Sequence, residues 1–204
     1  MKNAIISQQL ARINNLISST NESTKESLEL QSHWAKYICV LTAGFLENAI
    51  AQVYSDFAKQ CSPEFIHRHI SQYVSKIQNP KSTKFVEVAK SFKVEWGQEL
   101  EIFIDDKGRS EAIGNIMKNR HLIAHGKSSQ ITLVQIKEYL KRSVEVLEFI
   151  EKQCDIRYSV TEIKNFKKIC FFLLALFPRA APDASRRGGG VRISRTCKFG
   201  AAPD

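Results

Sequence analysis

The stretch WAKYICVLTAGFLENAIAQVYS, residues 34–55, decides the fold of this chain. Large apolar side chains recur in it every three or four residues, a spacing that places them along one stripe of an α-helix. These residues are Trp34, Ile38, Leu41, Phe45, Ala49 and Val53, and Phe57 continues the stripe. Lys36 and Glu47 are the only charged residues of the stretch. A helix with so few charges buries most of its circumference, so we expect it to be the central helix of the domain.

Helical patterns continue on both sides of this stretch, whereas the alternation that marks β-strands is nowhere sustained. The patterns predict helices over 3–17, 23–60, from 62 to before 80, one or two within 82–104, 110–125 and 133–152. Start and stop signals support these limits. They are the capping-box spacing of Ser23 with Glu26 and of Thr132 with Gln135, Ser62 as N-cap before Pro63, Gly126 as the residue after a helix end, and DDKGR (105–109) as a loop. We therefore expect an all-α fold.

The C-terminal part of the chain differs in composition from the rest. Residues 178–204, PRAAPDASRRGGGVRISRTCKFGAAPD, are rich in Ala, Arg, Gly and Pro and have no apolar periodicity. Such a segment cannot bury a core, so we expect it to be disordered. The predicted organisation is a helical domain over residues 1–165, followed by an apolar segment and a basic low-complexity tail over 166–204, outside the fold.

Charge and cysteine usage indicate the kind of partner and the compartment. The formal net charge is +9 and the isoelectric point is near 9.4, which favours polyanionic partners such as RNA, DNA or a membrane surface. The five cysteines are an odd number without a CxxC pair, as expected in a reducing cytoplasm. The N-terminus lacks a signal-peptide core, and the apolar run ICFFLLALF (169–177) is too short to cross a bilayer. We expect a cytoplasmic protein with no membrane partner.

A second stretch, NRHLIAHG at 119–126, carries the residues suited to chemistry. Each helical residue advances about 100°, so His121 and His125 lie on nearly one face, one turn apart. Arg120 and His125 are about 140° apart around the axis, and they flank one phosphate only if the helix end unwinds or a second chain completes the pocket.

An arginine and a histidine are together sufficient to cleave RNA. The planar guanidinium matches two phosphate oxygens, and an imidazole titrates near neutrality and accepts a hydroxyl proton. The histidine would take the proton of a ribose 2′-OH, whose oxygen attacks the adjacent phosphorus while the arginine stabilises the charge on the equatorial oxygens. The products would be a 2′,3′-cyclic phosphate and a 5′-OH, and neither a metal nor another cofactor is required. DNA lacks the 2′-OH and would be spared.

The motif and the long helix together resemble the HEPN ribonucleases, a family of all-α proteins. In that family an arginine is followed by Asn, Asp or His and, five positions after the arginine, by histidine. This chain has Arg120, His121 and His125 at those positions. The sequences FLENAI (45–50) in the long helix and AHG (124–126) look most like the RiboL-PSP-HEPN branch. The resemblance covers about residues 5–152.

This resemblance implies a fold, an assembly and roles for individual residues. The fold would be a HEPN-like helical bundle with a long buried second helix and an amphipathic closing helix. HEPN ribonucleases usually form homodimers with both motifs facing one cleft, and many are toxins or anti-phage effectors restrained by an antitoxin. Carried onto this chain, His125 is the general base and Arg120 the phosphate and transition-state ligand. His121 supports them, and Asn119 is a candidate phosphate or ribose contact.

Glu47 is the other residue that the sequence singles out. A carboxylate inside an apolar helix is costly to bury unless it is paired. The functional interpretation is that Glu47 contacts Arg120 and fixes its guanidinium. The structural interpretation is a helix edge that reaches solvent, or an ion pair with a different Lys or Arg.

Other interpretations of the basic residues stay open at this point. Arg120 and His125 would also suit an ordinary helix end, where cations complement the dipole. His121 and His125 have the i,i+4 spacing of metal ligands, but no third ligand is evident. The sequence HRH (67–69) is interpreted as a solvated or RNA-facing surface. The alternatives to a ribonuclease are therefore a catalytically inactive HEPN-like module that binds RNA, nucleotide or a protein partner, and a metal-binding helical protein.

Overall fold

Seven α-helices and one 3-10 turn make up the residues that the computed structural model describes, which are 1, 3–23 and 27–155. The helices are α1 (Ala4–Ser23), α2 (Leu28–Cys61), α3 (Glu64–Val74), α4 (Ser82–Phe92), α5 (Val94–Asp105), α6 (Arg109–Ala124) and α7 (Leu133–Gln153), with the 3-10 turn at Asp106–Gly108. No strand occurs in these ranges, so the predicted all-α fold is confirmed.

The central helix is α2, as the sequence predicts. Helices α1, α3, α6 and α7 all pack against it, and Ile38, Phe45, Leu46, Ala49 and Ile50 on it are fully buried. By length and composition alone α2 is also long and apolar enough to cross a membrane. However, 56% of the apolar window lies inside the domain, and the core helix of a soluble protein passes the same test. Within the described residues α2 therefore acts as the core helix around which the bundle is built.

The predicted end of α1 and the predicted start of α2 are both wrong. Helix α1 continues to Ser23, because burial of Ile17 and Thr20 stabilises a polar segment of modest helix propensity. The N-cap of α2 is instead Ser27, whose Oγ accepts a hydrogen bond from the Leu30 N–H at 3.3 Å. Glu26, the other half of the predicted capping box, lies outside the described residues.

The start of α3 differs in a similar way. Ser62 caps the end of α2, since both its N–H and its hydroxyl donate to the Ala58 carbonyl. Pro63 then takes the N-cap position of α3 rather than the first helical one. A serine between two helices suits the end of one as well as the start of the next, and the continued hydrogen bonding of α2 decides between them.

Helices α6 and α7 form an antiparallel pair and carry the motif at their connected end. The predicted capping box of α7 is present: the Gln135 N–H donates to Thr132 Oγ1 at 3.2 Å, and the Thr132 N–H donates to Gln135 Oε1 at 3.0 Å. At the other end of α6 the predicted DDKGR loop is a 3-10 turn with positive φ at Lys107 and Gly108. Arg109 is already the first residue of α6.

The predictions for the C-terminal part fall on residues outside the described ranges. They are the apolar run at 169–177, the disordered tail at 178–204 and the domain boundary between residues 165 and 166. These statements stay predictions.

Candidate functional site

The end of α6 fixes the backbone around His125. Gly126 has φ +65, and its N–H donates to the Ile123 carbonyl, while the Lys127 N–H donates to the Leu122 carbonyl at 2.8 Å. This pair of bonds is a Schellman motif, in which a residue with left-handed backbone ends the helix. His125 is the C-cap, and its N–H donates to the His121 carbonyl at 3.2 Å. The predicted role of Gly126 as the residue after the helix end is confirmed.

His121 and His125 form a pair of exposed imidazoles. Their ring centroids are 4.3 Å apart and the ring planes are inclined by 58°. Both side chains are exposed. The contact follows from the one-turn spacing, which places positions i and i+4 on the same side of the helix. Two imidazoles are thus presented to solvent at the end of α6.

Arg120 directly precedes His121 in α6, and its backbone is packed while its guanidinium has no partner among the described residues. Its N–H interacts with the thiol of Cys39 on α2, and the Cys39 Sγ is 3.6 Å from the Ile116 carbonyl. Burial raises the pKa of the Cys39 thiol to about 12, although the Arg120 N–H lowers it somewhat. The half-buried Arg120 side chain has no hydrogen bond or ion pair with any described residue. The guanidinium is therefore free to bind an external anion.

Asn119 has a structural role in this arrangement. Its Nδ2 donates to the Asn115 carbonyl at 2.8 Å, and its Oδ1 accepts a hydrogen bond from the buried Ser129 hydroxyl at 2.8 Å. These bonds attach the connection after Gly126 to α6. Since both ends of the amide form bonds within the domain, Asn119 holds the loop beside the motif.

The predicted contact between Glu47 and Arg120 is wrong. Glu47 Oε1 accepts a hydrogen bond from the Asn79 N–H at 2.6 Å and so binds the turn before α4. Arg120 packs at the level of Cys39, eight residues from Glu47, which is about 12 Å along the axis of α2. The structural interpretation of Glu47 was nearer the outcome, except that its partner is a backbone amide and not a cation.

A metal site at the two histidines receives no support from the described residues. No group of three or more His, Cys, Asp or Glu side chains lies close enough there to hold a metal ion. His121 and His125 alone would leave at least two positions of a tetrahedral zinc site without a protein ligand.

Arg109 anchors the start of α6, the helix that carries the motif, and the sequence did not lead us to predict its burial. It is only 5% exposed, and its Nε donates to Glu145 Oε2 on α7 at 2.8 Å. Its Nη1 donates to the Phe103 carbonyl at 3.1 Å, and the guanidinium carbon lies 4.0 Å from the centre of the Phe103 ring. Its spacing in the sequence could have indicated this burial. Arg109 precedes the buried Ala112, Ile113 and Ile116 by three, four and seven positions, so it lies on the same face of α6 as they do.

A bundle of helices around a buried α2, with an Arg/His motif at the end of its penultimate helix, defines a protein of the HEPN class. The family model described as RiboL-PSP-HEPN matches residues 6–155, which is 150 of the 204 residues. The chain belongs to this family, and the predicted resemblance is confirmed. No curated protein and no solved structure matches it. Membership of the family indicates a nuclease or an otherwise RNA-related function.

Proposed function

We propose that this protein is a metal-independent endoribonuclease that cleaves RNA by attack of a ribose 2′-OH on the adjacent phosphorus. The observation that carries the proposal is the end of α6, where the exposed His121 and His125 rings are in contact and the guanidinium of the preceding Arg120 has no partner among the described residues. Family membership adds the expectation of nuclease or RNA-related chemistry.

Each side chain has a defined role in the proposed reaction. His125 accepts the proton of the 2′-OH, and the freed oxygen attacks phosphorus, so that the bond to the 5′-oxygen of the next nucleotide breaks. Arg120 binds the non-bridging oxygens and stabilises the charge that they gain in the transition state. His121, with its ring against that of His125, positions the substrate or the second motif. The products are a 2′,3′-cyclic phosphate and a 5′-OH.

The proposed assembly is a homodimer whose two motifs share one cleft. Arg120 and His125 differ by about 140° around α6, so one copy alone presents them in different directions. A second copy can supply the missing group from the other side of the bound phosphate. In this proposal RNA is the substrate, the compartment is the cytoplasm, and no membrane takes part.

The test of the chemistry is end-mapping of RNA incubated with the purified full chain. We expect cleavage that persists in EDTA, leaves 2′,3′-cyclic phosphate ends, and is abolished by a single 2′-deoxy substitution at the cut nucleotide. Arg120→Ala and His125→Ala should each lower the rate at least about 100-fold. Arg12→Ala is the matched control, because Arg12 is an exposed arginine on α1, outside the motif of α6.

Two results would contradict the proposed chemistry. Cleavage unchanged in both Arg120→Ala and His125→Ala, with folding intact by circular dichroism, would remove the mechanism. RNA binding without any cleavage by the wild-type chain would leave the inactive HEPN-like binding module as the function.

We further propose a biological role as a toxin or anti-phage effector that an antitoxin protein restrains. Induced expression of the wild-type chain should arrest bacterial growth, whereas the His125→Ala chain at equal abundance should not. Equal growth of both strains, with cleavage activity present in the extracts, would contradict the toxin role and leave the chemistry standing.

A further inference from the structure

The positive charge of the described domain is concentrated on one region. Residues 64–93, which include α3 and α4, contain six Lys or Arg and two Glu, for a net charge of +4. The other described residues contain twelve Lys or Arg and fifteen Asp or Glu, for a net charge of −3. A polyanion that approaches the domain is therefore attracted to the surface formed by α3, α4 and the turn between them.

The outward face of α3 combines these cations with an exposed aromatic ring. Phe65, His69 and Gln72 are spaced by four and three residues, so they form one row about 10 Å long on α3, and Lys76 follows just beyond the end of the helix. Arg68 lies beside the row, and all five side chains are exposed, with Phe65 72% exposed. The sequence HRH is thereby divided between two faces.

The first histidine of HRH faces the domain and not the solvent. His67 turns towards α2, where its Nε2 lies 3.4 Å from the Ser55 hydroxyl, and Ser55 also bonds Ser71 at 2.7 Å. These contacts fix the rotation of α3 on α2, so Phe65 and Arg68 are directed outward.

The row leads into an open groove at the turn between α3 and α4. The groove has a volume of about 520 Å³, and its walls include Tyr73, Lys76, Lys81, Lys84 and Glu87. Lys84 pairs with Glu87 at 2.8 Å, whereas Lys76 and Lys81 have no acidic partner among the described residues. Tyr73 is 46% exposed. An aromatic ring and two unpaired ammonium groups thus border one concave surface.

The floor of this groove is held in place by the domain. The bond from the Asn79 N–H to Glu47 Oε1 fixes a residue with φ +48, and the next residue, Pro80, is buried. At the start of α4 the Ser110 hydroxyl donates to Ser82 Oγ at 2.9 Å and connects the groove to α6. Because the groove is already held in place, ligand binding does not incur the entropy cost of ordering its walls.

We infer that the α3 row and this groove bind single-stranded RNA, with phosphates on Lys76 and Lys81 and bases stacked on Tyr73 and Phe65. Exposed rings next to cations suit unpaired bases, because the bases of a duplex are already stacked on one another. This inference rests on the proposed function, because the surface would serve to guide an RNA strand to the motif. Arg120 is ten residues beyond Ser110, about 15 Å along α6, a length that about five stacked nucleotides span.

The test measures RNA binding separately from cleavage. A fluorescent single-stranded RNA of twelve nucleotides is titrated with full-length chain carrying His125→Ala, which prevents cleavage during the measurement. In that background Lys76→Glu with Lys81→Glu should weaken binding at least tenfold. The same pair should lower the slope of log affinity against log salt by about 1.4, since each lost contact to single-stranded nucleic acid removes about 0.7. Tyr73→Ala should weaken binding about tenfold through lost stacking.

The matched control changes the same amount of charge elsewhere. Arg12→Glu with Lys152→Glu replaces two exposed cations on α1 and α7, and its affinity should stay within twofold of the parent. Equal losses in the control and groove variants would overturn the inference, as would unchanged binding in the groove variants. Stronger lysine-dependent binding to phosphatidylserine vesicles than to the RNA would overturn it too, and would assign the surface to membranes.

Cleavage assays on chains that retain His125 distinguish this inference from the proposed function. If the wild-type chain cuts no RNA but the groove variants lose binding, the inference stands and the proposed ribonuclease falls. If the wild-type chain cuts RNA and the groove variants bind and cut equally well, the inference falls and the proposed ribonuclease stands.

Discussion

Single residues decide how rigidly α6 presents its motif, and Arg109 is the most consequential of them. Its guanidinium is buried and joins α5, the 3-10 turn, α6 and α7 through Phe103, Asp106 and Glu145. Removing the side chain would delete its hydrogen bonds to Glu145 and to the Phe103 carbonyl and its packing over the Phe103 ring, while the Glu145 side chain, which is 37% exposed, stays partly solvated.

Arg109→Ala should therefore lower the free energy of unfolding by about 2 kcal/mol. Arg109→Lys should recover only part of this, since an ammonium cannot make the same fork of hydrogen bonds or lie over the Phe103 ring as a plane. Chemical denaturation followed by circular dichroism measures both. Arg142→Ala is the control, because Arg142 forms a partly exposed pair with Glu138, and it should cost no more than about 1 kcal/mol. Equal losses at the two positions would contradict the role assigned to Arg109.

The buried thiols make the stability depend on alkaline pH. Burial raises the pKa of Cys39 to about 12 from an ordinary value of 9.0, and it raises the pKa of Cys154 to about 12 as well. Above pH 9 these thiols lose protons in the unfolded chain but keep them in the folded one. The free energy of unfolding should then fall as pH rises from 9 to 12, by about 1.4 kcal/mol per pH unit for each thiol.

Cys39→Ala separates this contribution from that of other groups. Between pH 9 and 11 the free energy of unfolding of this variant should fall less steeply than that of the wild type. The difference in slope should be the contribution of one thiol, about 1.4 kcal/mol per pH unit. Cys61→Ala, which removes an exposed thiol, should change the slope less. A Cys39→Ala slope identical to the wild type would show that this thiol does not stay protonated in the fold.

At the scale of elements, the position of His125 depends on how α6 ends. Gly126 has φ +65, a backbone conformation that any residue with a Cβ adopts at a cost, although the space around it is open. The Schellman bonds need that conformation, so a change at Gly126 acts on the motif through the backbone.

Gly126→Ala should lower the free energy of unfolding by about 1 kcal/mol and reduce RNA cleavage by the full chain. Gly114→Ala is its counterpart on the same helix, because a Cβ there meets nothing within 4 Å and the backbone is helical. That change should raise stability by about 0.5–1 kcal/mol and leave cleavage unaltered. Thermal unfolding measures the stability of both variants, and the cleavage assay measures their activity. Higher stability in Gly126→Ala than in the wild type would contradict the left-handed backbone assigned to the end of α6.

At the scale of the whole molecule, the proposed activity requires two copies. The full chain should sediment at twice the 23.2 kDa of one copy. On dilution, specific cleavage activity should fall together with the dimer fraction, because one motif alone directs its arginine and its histidine about 140° apart. Sedimentation velocity and initial rates over the same concentrations test this. A monomer with constant specific activity would contradict the shared cleft.

The sequence by itself determined the helical class, the central position of α2 and the motif at 119–126. These follow from periodicity, sparse charge and local spacing, all of which act within one or two turns of a helix. Thr132 with Gln135 and the glycine at 126 were predictable for the same reason, since a cap involves only neighbouring residues. The family resemblance depended on these local features too.

Only the tertiary structure decided which distant residues meet. The sequence left Glu47 open between a contact with Arg120 and a structural role, and the packing of the helices directs its carboxylate to the Asn79 amide. Burial of Ile17 and Thr20 likewise extended α1 beyond its predicted end. The groove of Tyr73, Lys76 and Lys81 forms where two helices and a turn converge. Such contacts depend on relative helix positions, which are set by summed packing over the domain and leave no signal in local spacing.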